Sequence, residues 1–155
     1  MMPTRTRSRR VPRAVAVIAL LAATLFLVLT SCPSQRDGIP GRLATAKEET
    51  QSAARSGAMS IQLWLERRST RQLACVQLAD ARDEITKAFK GVATLTPDSA
   101  VDLRRQAELT SMMTSLIDDL NTAAMAVRTP AGQPDVRELR QRLLTRVDTL
   151  EREYR

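Results

Sequence analysis

The chain has 155 residues, two cysteines, no histidine and only 3% aromatic residues, with a formal charge of +7. Without histidine the commonest general base and metal ligand are missing, and five glycines leave little for a β-rich fold. The positive charge is concentrated at the start. Arg5, Arg7, Arg9, Arg10 and Arg13 account for five of the 24 basic residues and no acid precedes Asp37, which leaves 19 basic against 17 acidic side chains beyond. That near-balance argues against a nucleic-acid binder, whose folded part carries a concentrated basic footprint.

In chain order, residues 1–13 are basic. Ala14 to Leu29 are apolar apart from Thr24, and Leu29-Thr30-Ser31-Cys32 follows. A basic n-region, an apolar stretch and small residues at its exit describe an export signal. The quartet at 29–32 resembles the lipobox of bacterial lipoproteins: an aliphatic residue, two small residues, then cysteine. The resemblance covers residues 1–32. It implies that residues 1–31 are removed and that the Cys32 sulfur carries a lipid anchor. It also implies attachment to the extracytoplasmic face of the cell membrane. The alternative, an uncleaved membrane anchor at 14–30, is short against the roughly 20 residues a spanning helix needs. Residues 32–41, with Pro33, Gly38, Pro40 and Gly41, read as the lipidated cysteine and a flexible tether.

Residues 42–155 read as an all-α antiparallel bundle of three to four long helices. Over 42–68, Leu43, Ala46, Ala53, Gly57, Ile61 and Trp64 fall near one helical face, though the first half is weakly apolar. Over 70–92, Ala74, Leu78, Ala81, Ile85, Phe89 and Val92 recur at three- and four-residue steps, and Ser69 with Gln72 fits a capping box. No glycine or proline separates the two segments. The pattern favours one helix of about 50 residues, bent near Ser69, over a tight reversal.

Beyond a loop near 93–96, Thr96-Pro97-Asp98 predicts a helix start, and the helix runs to about Arg128. It carries two stripes. Leu103, Ala107, Met113, Ile117, Leu120, Ala124 and Val127 form one; Leu109, Met112, Leu116 and Ala123 form the other. Residues 129–134 are a turn. A last helix, with Asp135 and Glu138 as its capping pair, repeats Val136, Leu139, Leu143, Val147, Leu150 and Tyr154 at bundle spacing.

No catalytic, cofactor-binding or metal-binding motif is legible. The carboxylates Asp80, Asp83 and Glu84, and Asp118 with Asp119, are expected on solvated faces. Asp83 is expected to pair with Lys87, Glu138 with Arg142 and Glu151 with Arg155. Cys75 is expected to be a small buried hydrophobe. Met112, Met113 and Met125 read as gap-filling core. Ile61 and Trp64, beside Glu66, Arg67 and Arg68, are the expected partner contact.

The expected function is a non-enzymatic interaction module of the cell envelope. It would touch the membrane through its lipid and probe another envelope protein, with no nucleic acid, cofactor or metal. The alternative is a helical carrier of a lipid or apolar ligand, sited near the methionines. Replacing Cys32 with Ala is expected to abolish acyl labelling and alter processing. A wild-type chain that carries no lipid and keeps residues 1–31 contradicts the anchor.

Overall fold

The computed structural model describes residues 38–129 and 134–153. The expected signal, Cys32, the tether up to residue 37 and Tyr154 lie outside the described residues. The described chain is four helices: α1 (Gly38–Leu65), α2 (Arg71–Ala93), α3 (Ala100–Arg128) and α4 (Val136–Glu153). Each packs on the next in sequence, α4 packs back on α1, and α1 also meets α3 across the diagonal. The all-α bundle read from the sequence is therefore the fold, in its four-helix form.

Helix α1 begins four residues earlier than its sequence pattern suggested, inside the segment expected to be tether. Gly38 takes φ +86°, open to glycine at little cost. Pro40 falls in the first turn, where a missing N–H removes no helical hydrogen bond. The glycines and prolines of 38–41 thus start the helix instead of preventing it.

The single bent helix expected over 42–92 is instead two helices joined by a tight reversal. Arg67 adopts the left-handed conformation at φ 58°. The Arg68 N–H donates to the Leu63 carbonyl at 2.9 Å and the Arg67 N–H to the Trp64 carbonyl at 3.0 Å. This is the Schellman pattern, which satisfies the carbonyls left over at a helix end. Glycine usually occupies the left-handed position, and its absence is what hid the turn. Ser69 is not the cap of α2, because its N–H also turns back to Leu63. Thr70 caps instead, its hydroxyl accepting from the Leu73 N–H at 3.2 Å.

Helix α3 starts at Ala100, not at Pro97. Ser99 and Asp102 bond reciprocally: the Ser99 hydroxyl accepts from the Asp102 N–H at 3.0 Å and donates to its carboxylate at 3.1 Å. Upstream, Leu95 is buried and its carbonyl accepts from the Gln106 side chain. Holding Leu95 in the core delays the helix by a turn. Asp135 lies at the start of α4 and accepts from the Arg137 N–H at 3.1 Å, although not from Glu138, its expected capping partner.

The core runs the length of the bundle. The α2 stripe is buried as read, except that Ala88 is buried and Phe89 packs half-exposed at the edge. On α4, Val136, Leu139, Leu143, Val147 and Leu150 are buried as read, and Leu144 packs partly buried beside them. On α3 the buried face merges the two expected stripes into Leu109, Met113, Leu116, Leu120, Ala123 and Val127, while Leu103 and Ala107 are exposed. On α1 the weakly apolar first half is core after all, through Leu43, Ala46, Thr50, Ala53 and Ala54.

Arg67→Gly relieves a left-handed side chain, a conformation that costs roughly 1–2 kcal/mol per non-glycine residue. Urea unfolding is expected to show a gain of up to about 1 kcal/mol. A loss would mean that the turn depends on the arginine side chain.

Candidate functional site

The sequence-derived contact pair does not form a surface. Ile61 has no exposed area and belongs to the core, while Trp64 is half-buried and packed against that core. Both continue the line Leu43, Ala46, Thr50, Ala53 and Gly57 along the inner face of α1. The charged neighbours Glu66, Arg67 and Arg68 belong to the turn beyond the helix.

What α1 presents outward is different. Its exposed residues Ser52, Ser56 and Met59 line a groove of about 640 Å³ together with half-buried Leu63, buried Gln51 and Ser60, and Gln77 from α2. Gly57 lies against Leu78 and Ala81 of α2. In an antiparallel pair this register brings Met59 level with Val76 and Gln77, and Leu63 level with Leu73. Met59 is 58% exposed, and Leu73 and Val76 are each 48% exposed. Exposed apolar side chains of α1 and α2 therefore gather at the level of the α1–α2 seam near the 66–70 turn.

Two amide groups in the groove lack partners. The Gln51 Nε2 donor and the Gln77 Oε1 acceptor are buried with no hydrogen bond. A buried polar atom without a partner costs on the order of 1–3 kcal/mol, so each gains from a group that completes it. The two hydroxyls buried nearby behave otherwise. Thr50 donates to the Ala46 carbonyl and Ser60 to the Gly57 carbonyl, each at 2.7 Å, so both are satisfied within their own helix.

The charged residues are arranged differently from expectation. Asp119 is buried, not solvated, and accepts from Arg146 Nε at 2.5 Å with Arg142 at 3.6 Å. This takes Arg142 away from Glu138 and ties α3 to α4. Glu151 pairs with Arg55 of α1 at 2.9 Å, its expected partner Arg155 lying outside the described residues, and Asp83 pairs with the adjacent Arg82 at 2.8 Å instead of Lys87. Asp118 is exposed as expected.

Cys75 is half-buried at the core edge and free, not fully buried, because Ala74 occupies the inward position beside it. Met113 fills the core, Met112 is half-buried and Met125 is exposed, so the three methionines do not line one interior site. Among the described residues no group of three His, Cys, Asp or Glu side chains is placed to hold a metal, and no helix is long and apolar enough to cross a membrane.

The seam strip escaped sequence reading because Met59, Leu73 and Val76 are scattered singly along two helices. Only the register between α1 and α2 gathers them. No family model matches the chain, and neither a curated protein nor a solved structure shows significant similarity to it.

Proposed function

We propose that the protein is a lipid-anchored, extracytoplasmic module that binds another envelope protein without doing chemistry on it. Cys32 would carry the lipid. The contact would be the α1–α2 seam, in place of Ile61 and Trp64.

The observation that carries this reading is the composition of the seam. Protein interfaces combine apolar anchors with hydrogen-bonding groups that become paired on association. Here Met59, Leu73 and Val76 are exposed toward the 66–70 end of the two helices, and the groove that Met59 lines also holds an unpartnered amide donor and an unpartnered amide acceptor. A polypeptide entering the groove would offer a carbonyl for Gln51 and an N–H for Gln77 once those buried side chains turn toward it. Methionine adds an adaptable, polarisable contact.

The test is site-specific photocrosslinking in intact cells, with the crosslinker at Met59 and, as a control, at exposed Asp118 on α3. Position 59 is expected to give a discrete adduct that position 118 does not. Met59→Ser with Leu73→Ser is expected to weaken capture of that partner at least about tenfold, which is about 1.4 kcal/mol, while far-UV circular dichroism stays helical. Equal adducts from both positions, or undiminished capture by the double variant, would count against the seam.

A further inference from the structure

We propose that one end of the bundle, formed by the start of α1, the 94–99 connection and the first turns of α3, rests on an anionic bilayer surface. This rests on the anchored reading above and adds which face of the domain meets the lipid.

Chain length selects the end. Five residues separate Cys32 from Gly38, and six backbone steps reach at most about 20 Å. A lipid on Cys32 therefore keeps the first turn of α1 within that distance of the headgroups. The antiparallel fold gathers the end of α2 and the start of α3 at the same place. The Gln106 side chain joins them, donating to the Val92 carbonyl at 2.8 Å and to the Leu95 carbonyl at 3.0 Å.

The surface at that end suits a membrane boundary. Val101 is 60% exposed and Leu103 57% exposed. Asp119 against Arg142 and Arg146 sets the α3–α4 register, which brings Glu153 level with Thr110. The first two turns of α3 thus lie past the level of Glu153, where these aliphatics are exposed. Around them, Arg42, Lys90 and Arg104 make no ion pair among the described residues. Of the acids nearby, Asp102 is held by Arg105 at 3.7 Å, leaving Asp98 and Glu108. Exposed aliphatics among unpaired cations are what an interfacial contact needs: apolar groups for the acyl boundary and positive charge for lipid phosphates. The bilayer is also the one surface that the short connection keeps permanently in reach.

The test uses the full chain, purified from membranes and incorporated into vesicles of phosphatidylcholine and phosphatidylglycerol at about 3:1, or of phosphatidylcholine alone. In a Cys75→Ser background, an environment-sensitive fluorophore is placed at Leu103→Cys or, at the opposite end, at Arg68→Cys. Nitroxide lipids serve as quenchers. On the anionic vesicles the label at 103 is expected to be blue-shifted and quenched several-fold more than the label at 68. That difference is expected to shrink on neutral vesicles, and also with Lys90→Glu and Arg104→Glu, while flotation with the vesicles is unchanged. Protein that floats but shows equal quenching at 103 and 68 overturns this docking and leaves the anchor standing. Quenching at 103 that is the same on neutral vesicles overturns the anionic requirement. Protein that floats with neither vesicle overturns the anchored reading and this inference together.

Discussion

The close approach of α1 to α3 at Gly57 is the constraint on which the rest of the bundle depends. A Cβ at this position would lie 2.6 Å from Leu120 Cδ2 and 3.5 Å from the Ala81 Cβ. Leu120 is fully buried, so it has little room to retreat. The neighbouring inward positions of α1 are also small: Ala46, Ala53, Ala54 and Ala58. Across from them α3 supplies Leu109, Met113, Leu116 and Leu120. Small residues on one helix accept large ones from the other, and the diagonal between α1 and α3 becomes short. Helices α2 and α4, on the other diagonal, do not pack on each other at all.

Polar groups are placed to suit that closeness. Thr50 and Ser60 point inward on α1 but return their hydroxyl protons to carbonyls of the same helix, so the close face asks for no polar partner on α3. The bonds between helices lie at the periphery. Asp119 joins α3 to α4 through two arginines, Arg55 joins α1 to Glu151 of α4, and Gln106 joins α3 to the end of α2. The exposed Arg55–Glu151 pair contributes little energy, and the buried Asp119 carboxylate needs its arginines to offset the cost of burial. The use of these bonds here is to fix register, and register is what assembles the seam strip on one side and the cationic, aliphatic end on the other.

Legibility in the sequence followed side-chain size and turn chemistry. Helix α4 buries large aliphatics at regular spacing and α2 alternates alanine with Leu, Ile and Val, so both inward faces are readable, although the start of α2 is not. The inner face of α1 is built from Ala, Gly, Thr and Ser. Its burial is a matter of close approach, which hydrophobicity alone does not report, and its first half reads as only weakly apolar. The reversal after Leu65 uses a left-handed arginine in place of glycine, so it left no punctuation. Ile61 and Trp64 sit inside the heptad line of α1, and the charges beside them belong to that unmarked turn. The surface that replaces them comes from residues on two helices and exists only once their register is set.

The central claim is that α1 packs where it does because position 57 has no side chain. The direct measurement is the same substitution at two helical glycines, Gly57→Leu and Gly91→Leu, compared by urea unfolding. Nothing lies within 4 Å of a Cβ at Gly91. Both variants gain helix propensity by the same mechanism, so their difference reports space. Gly91→Leu is expected to gain roughly 0.5–1 kcal/mol, and Gly57→Leu to lose about 1–3 kcal/mol through overpacking. Equal stability of the two variants would contradict the account.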